Sequence, residues 1–314
     1  MTYKHLFGPV PSRRLGVSLG IDLVPLKVCS LNCVYCEVGK TTLLTTERKE
    51  YVKTEEIYNE LKHYLSMKPE LDYITFSGAG EPTLHSKLGE ILNFIKTNYP
   101  QYKTALLTNS TLFKDEKVVN EVLNFDLILP SLDCVSEECF LKLNRPARNL
   151  KSYDVVEGLI NLKKKFKGEI WLEVFFVPGL NDNEKEIMLI KSELEKIQPN
   201  KIQLNTLDRP GTASWVKPLP KEELEEIRNK LLPLPVEIIA KFKSRKKIKS
   251  FDEDIQKQIL EAIKRRPLTD EDLSNMLSMH INEVNKYLSE LLKNNIITTS
   301  RSQRGIFFKL NDNN

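Results

Sequence analysis

Cys29-Ser30-Leu31-Asn32-Cys33-Val34-Tyr35-Cys36 places three cysteines in a C-x3-C-x2-C run, with a tyrosine immediately before the last. Thiolates this close in sequence converge on one metal centre when the backbone loops around it, and thiolate ligands select zinc or iron–sulfur clusters. A structural zinc site takes four protein ligands, and no fourth is evident beside this run. A four-iron cluster held by Cys29, Cys33 and Cys36 would instead keep one iron open for a substrate or cofactor. The spacing favours a reactive cluster over a zinc knuckle or a chance group of core thiols.

Other stretches carry polar chemistry. Ser77-Gly78-Ala79-Gly80-Glu81 joins two glycines, which let a ligand approach the backbone, to a carboxylate that accepts hydrogen bonds from an ammonium group. Thr108-Asn109-Ser110-Thr111 and Ser131-Leu132-Asp133 offer short side chains suited to ribose hydroxyls, although the same residue types are preferred helix N-caps. Arg145, Asn205 and Arg209 are loop candidates for a cofactor or substrate, with Asp208 and Arg209 also able to form a local ion pair. Glu173 stands among bulky apolar residues, where an ionised carboxylate is costly unless paired, so its face decides between a pocket and a rim. Cys134 and Cys139 supply too few ligands for a second cluster and read as inert buried thiols.

These stretches fall between elements of a repeating pattern. Strand-like runs occur near residues 17–24, 73–76, 104–107, 127–129, 170–177 and 202–204, and helical stretches near 54–67, 86–98, 114–124, 152–165 and 183–197. Alternation of this kind predicts parallel β/α units, here a partial (β/α)6 barrel within an α/β fold. In such barrels functional residues sit on loops at the carboxyl ends of the strands, where the cysteine, glycine, Asn109 and Asp133 stretches all fall. Ahead of the first strand, Phe7 to Gly16 is rich in turn formers and reads as a lead-in whose Arg13 and Arg14 are solvated or bind an anion.

On the cysteine spacing with its preceding aromatic residue, and on the glycine–glutamate stretch, the N-terminal two-thirds resembles the radical S-adenosylmethionine (SAM) superfamily. Within it the resemblance points to the branch of wyosine-synthetase-related Fe-S oxidoreductases. It implies that Cys29, Cys33 and Cys36 ligate a [4Fe-4S] cluster and that S-adenosyl-L-methionine chelates the open iron. It further implies that Gly78, Ala79, Gly80 and Glu81 meet the SAM amino group, Ala79-Gly80 replacing the family's paired glycines. Tyr35 would pack near the adenine, residues 178–183 would border it, and Asn109, Ser131 and Asp133 would contact the ribose or carboxylate. Tyr35 also reads as ordinary core packing. An electron donor such as flavodoxin or ferredoxin would reduce the cluster. Wyosine synthetases carry a further cysteine set upstream, whereas no cysteine precedes Cys29, which speaks against the wyosine reaction.

The chain of 314 residues, 40% hydrophobic and 29% charged, has room for one large globular domain and a small one. It lacks an apolar run of about eighteen residues, so no membrane span is expected, and its odd cysteine count argues for thiolate chemistry in a reducing cytoplasm rather than a disulfide framework. Prolines and a basic run, Lys241 to Lys249, divide it into a barrel at 1–235, a basic linker at 236–250 and a small unit at 251–314. Three helical patterns and two short strands in the last unit resemble a winged helix-turn-helix, with His280 to Asn294 as recognition helix and Arg301 and Arg304 on the wing. That unit would read an RNA, DNA or protein substrate, with Lys243, Arg245, Lys246, Lys247, Arg301 and Arg304 meeting phosphates if the partner is a nucleic acid. The expectation is a radical SAM enzyme whose last unit is dispensable for SAM cleavage. The alternative is a redox- or SAM-sensing regulator that binds DNA, the redox form disfavoured because such a sensor needs no SAM pocket.

Overall fold

The computed structural model of the chain describes residues 3–12, 14–239, 255–277, 279 and 281–311. Strand β1 (Leu6–Ser12) turns back antiparallel onto β2 (Gly16–Ile21), and two-residue strands β3 (Val28–Cys29) and β4 (Leu43–Leu44) frame the cysteine loop. There follow α1 (Thr54–Ser66), β5 (Tyr73–Phe76), a short 3-10 turn (Pro82–Leu84), α2 (Leu88–Asn98), β6 (Lys103–Thr108), α3 (Glu116–Val122) and β7 (Leu127–Pro130). Then come α4 (Glu137–Leu143), α5 (Ser152–Lys165), β8 (Glu169–Phe175), α6 (Glu184–Ile197), β9 (Lys201–Asn205), α7 (Lys221–Leu231) and β10 (Val236–Ile238). Side-chain caps fix several helix starts: Asp115 accepts from the Lys117 amide, Ser136 from that of Cys139 and Asn183 from that of Glu186.

One sheet runs β1-β2-β5-β6-β7-β8-β9-β10, parallel throughout except for β1, and among the described residues it stays open between β1 and β10. The fold is thus the mixed α/β partial barrel expected, with two differences. The turn-rich lead-in is strand β1, whose edge position tolerates prolines that donate no ladder hydrogen bond. Residues 236–238, placed in the linker by the sequence reading, form β10 and extend the parallel sheet beyond six strands.

Strand alternation assigns the two faces. Ile74, Phe76, Leu106, Ile128, Leu172, Val174, Ile202 and Leu204 pack beneath the helices in the main core, each fully buried side chain contributing about 1.5–3 kcal/mol. The opposite face carries a smaller apolar cluster, Leu15, Ala105, Leu127 and Leu129, and then polar residues nearer the strand ends. Glu173 lies on that inner face, alternating with Leu172 and Val174.

Helices α8 (Ile255–Arg265), α9 (Asp270–Leu277) and α10 (Ile281–Lys293) with the hairpin β11 (Ile297–Ser302) and β12 (Gly305–Leu310) pack around their own core, including Ile259, Leu273, Val284, Leu288, Leu291 and Phe308. Thr269 and Asp272 bond reciprocally as a capping box, at 3.0 and 3.1 Å. Ion pairs tie this unit to the barrel: Arg265 to Asp22, Arg304 to Asp208, and Asp272 to Arg209, while Arg304 also pairs with Asp272 inside the unit. Arg304, expected to face a phosphate from the wing, is therefore engaged by two carboxylates of the chain. The basic run with Lys243, Arg245, Lys246 and Lys247, and likewise Arg13 and His280, lie outside the described residues. Among the described residues no helix is long and apolar enough to cross a membrane.

Candidate functional site

The cysteine loop leaves β3 at Cys29 and is fastened on both sides. On one side the amides of Asn32 and Val34 donate to the Asn144 and Leu143 carbonyls, both at 3.0 Å, and Ala147 donates to Ser30 at 2.8 Å. On the other, Ala213 donates to the Val34 carbonyl and the Thr212 hydroxyl to that of Cys36, both at 3.0 Å. Cys29, Cys33 and Cys36 are all free thiols. Each sulfur faces a nitrogen donor: Asn109 Nδ2 lies 3.5 Å from Cys29 Sγ, Asn144 Nδ2 3.4 Å from Cys33 Sγ and Lys27 Nζ 2.8 Å from Cys36 Sγ.

Burial pushes the Cys29 thiol up to about 11, against the pull of Lys27, and pushes Cys33 up further. Lys27 is itself buried, which opposes its charge, but the sulfurs of Cys36, Cys29 and Cys33 outweigh that and hold it above the usual lysine value. Without a cation between them Cys29 and Cys33 favour the thiol form, and a bound iron centre is what would make them thiolates.

The glycine loop is shaped by protein atoms. Gly78 has φ +124°, and a Cβ there would run into Asp22; at Gly80 it would run into the Val28 carbonyl of β3. A packing reason thus stands beside the sequence argument that these glycines admit a ligand, since Gly80 must lie against the cysteine strand and Gly78 against Asp22. Glu81 caps the 3-10 turn and is saturated on one oxygen: Oε1 accepts from Thr83 Oγ1 at 2.6 Å, Thr108 Oγ1 at 2.7 Å and the Thr83 amide at 3.1 Å. Oε2 accepts the Asn109 amide at 2.8 Å. Burial raises the Glu81 pKa, and these hydrogen bonds from Asn109, Thr83 and Thr108 offset part of the rise.

Asp133 forms the second carboxylate centre. It accepts from Tyr35 OH at 2.5 Å, Asn144 Nδ2 at 2.8 Å and the Phe175 amide at 2.9 Å, and burial lifts its pKa to about 6. The Tyr35 ring stacks on Phe175, with centroids 3.9 Å apart and planes at 10°. Asn109 also donates to Ser30 Oγ at 2.9 Å, so its amide braces the cysteine loop. Ser131 is half-buried at the end of β7 and bridges to Glu173. The structure thus gathers Cys29, Cys33, Cys36, Tyr35, Gly78 to Glu81, Asn109, Ser131 and Asp133 at the carboxyl ends of the strands.

Other expectations change. Arg145 is exposed, and its neighbour Asn144 is the inward residue that touches both Cys33 and Asp133. Asp208 and Arg209 do not pair with each other: Asp208 binds Arg304, while Arg209 reaches Glu37 at 3.2 Å. Asn181, from the loop expected to border adenine, is buried and braces the backbone at Val177, Asp133 and Phe175. Cys134 and Cys139 are joined in a disulfide between β7 and α4, where inert thiols were expected; two cysteines five apart pair only if the turn brings them together. Glu173 points inward and pairs with Arg14 at 2.5 Å, with Asn205 at 3.4 Å. Lys27 and Asn144 escaped sequence reasoning altogether; the only sequence signal for Lys27 was its position two residues before Cys29.

A cavity of about 360 Å³ adjoins this site, walled by the β1–β2 hairpin, the inner face of the sheet and helices α8 and α9. Val38, Ser77 and Gly78 edge it from the site's loops, and Arg14, Leu107 and Asn205 line its inner wall. Of the residues singled out for cluster and cofactor, Gly78 lines it together with the loop candidates Asn205 and Arg209, whereas the cysteines, Tyr35, Glu81, Asn109, Ser131 and Asp133 do not.

A model of the radical SAM superfamily matches residues 23–190. A UPF0026 protein of Methanocaldococcus jannaschii is 35% identical over 295 residues, 90% of each chain. A Brachyspira hyodysenteriae protein named GTPase Obg is 36% identical over 293 residues, covering 92% of this chain, which spans 42% of that longer protein. In this chain Gly39-Lys40-Thr41 has Val34 where a phosphate-binding loop needs its first glycine. A solved radical SAM methyltransferase from Sphaerobacter thermophilus shares the fold at TM-score 0.53 and 14% identity, over 70% of this chain and 65% of that one.

Proposed function

Because the chain belongs to the radical SAM superfamily, whose members use a [4Fe-4S] cluster and SAM, we propose that it is a SAM-cleaving enzyme whose cluster is held by Cys29, Cys33 and Cys36. The observation that carries this reading is the cysteine loop itself: three free thiols at the strand ends, each met by a nitrogen donor. Soft sulfur ligands with N–H donors against them suit an iron–sulfur cluster and tune its potential. When bound, the cluster supplies the electron that cleaves SAM to methionine and a 5′-deoxyadenosyl radical, which takes a hydrogen atom from the substrate.

The chain's own residues then have distinct tasks. Glu81 Oε2, with one donor against three on Oε1, receives the SAM ammonium beside the Gly78–Ala79–Gly80 backbone. The stacked Tyr35 and Phe175 form a flat wall for the adenosine, held in place by Asp133. Ser131 meets the ribose, and Asn109 acts by fixing the cysteine loop. The adjoining cavity takes the part of the substrate that reacts, since it touches the glycine loop yet leaves the SAM-holding side chains aside.

The finer reading is a macromolecular substrate presented by residues 251–314, taken as a winged helix-turn-helix following the barrel at 1–235. Exposed Arg301 remains a phosphate contact in that reading, whereas Arg304 is spent on Asp208 and Asp272. A steep fall of RNA affinity with salt would support a nucleic-acid partner, and a shallow slope a protein. A small electron carrier such as flavodoxin or ferredoxin supplies the reducing electron.

Anaerobic reconstitution tests the main proposal. About four irons per chain, a four-iron Mössbauer spectrum and 5′-deoxyadenosine formed from SAM and dithionite are expected, all lost when the three cysteines become alanine. Retention of zinc, or a cluster surviving the triple replacement, overturns it.

A further inference from the structure

Two chains of polar contacts run from the C-terminal helices to the two loops of the candidate site. In the first, Arg265 of α8 pairs with Asp22 Oδ2 and lies over the Phe7 ring at 4.2 Å, while Asp22 Oδ1 accepts the Ala79 amide of the glycine loop at 2.9 Å. In the second, Asp272 of α9 lies 3.8 Å from Arg209, whose backbone and side chain reach the Glu37 carboxylate at 3.1 and 3.2 Å, one residue beyond Cys36. The hydrophobic cores of barrel and C-terminal unit are separate clusters, so these charged ties bear much of the register between the two.

Buried ion pairs behave differently from apolar packing, because losing one partner strands the other charge, and the seat is therefore kept or lost as a whole. The seat is also imperfect: the Nε atoms of Arg209 and Arg265 are buried without a hydrogen-bond partner. Arg209, Arg265 and Asp272 all line the cavity, so whatever fills it acts directly on both chains.

We propose that Asp22 and Arg209 are positioning residues through which the seating of the C-terminal helices sets the glycine loop and the Cys36 end of the cysteine loop. Seating of the C-terminal helices and binding of SAM are then coupled, so that what loosens the seat weakens SAM binding by the same factor as SAM strengthens the seat. This rests on reading those two loops as the SAM and cluster sites.

The test uses the full-length, anaerobically reconstituted chain and measures SAM affinity by calorimetry, iron content, and deuterium uptake at the Ala79 amide. Arg265→Gln and Asp272→Asn should each weaken SAM binding at least about fivefold with iron content retained. Ala79 should exchange faster in Arg265→Gln, and Arg265→Lys should restore both properties, which a loss of general stability would not produce. SAM affinity within about twofold of the parent in both variants, with Ala79 exchange unaltered, overturns the coupling while leaving the proposed function standing. A parent chain that assembles no cluster and binds no SAM overturns both.

Discussion

The sulfurs of the cysteine loop are held by residues far away in sequence, and the sharpest expectations concern those. Asn144→Ala removes a donor from both Cys33 and Asp133, and is expected to destabilise the chain by about 1–3 kcal/mol and to reduce the iron retained after gel filtration. Lys27→Met removes a positive charge beside Cys36, so the midpoint potential of the reconstituted cluster should move to more negative values in an EPR-monitored titration. Asp133 supplies a pH dependence. Its folded pKa, raised from 3.8 to about 6 by burial, means that the folded chain holds the proton over a range where the unfolded chain has lost it. Stability of the cluster-free protein should therefore fall as pH rises through that window and level off above it, and Asp133→Asn should flatten the profile. The three cysteines, Tyr35 and Asp133 were legible because a local motif or a strand end marks them. Asn144 was not, since the sequence drew attention to its charged neighbour Arg145, and the burial of an amide beside a sulfur more than a hundred positions away leaves no local trace.

At the scale of elements, the alternation of apolar runs and amphipathic stretches located β5 to β9 and their helices, because strands buried on both faces have a plain sequence pattern. Elements that break that pattern were harder to place: β1 is interrupted by prolines, β10 is only three residues long and was left in the linker, and α4 is a seven-residue helix started by the Ser136 cap. The glycine loop was found for one reason, ligand approach, and the packing supplies another. Gly80→Ala should push this loop off the Val28 carbonyl, costing about 1–3 kcal/mol by overpacking and weakening SAM binding measured by calorimetry. Had the glycine served only to admit ligand, stability in urea would be unaltered.

For the molecule as a whole, the sequence suggested a barrel with a detachable reader, and the ion pairs give the opposite expectation. A chain ending after residue 250 loses one wall of the cavity and the partners of Asp22 and Arg209. It should keep its iron but bind SAM more weakly than the full chain, measured by the same calorimetric titration, since the two hydrophobic cores are separate whereas the site loops lean on the C-terminal helices. The disulfide beside Asp133 has a practical consequence for handling the protein. Thiol reagents that keep cluster cysteines reduced during reconstitution reach the buried Cys134–Cys139 bond only where the chain opens, so a preparation can exist with three titratable thiols or with five once that bond is reduced, before any iron is added. Two laboratories using different reductants would then compare chemically different proteins under one label, and counting thiols in unfolded, cluster-free samples tells them apart.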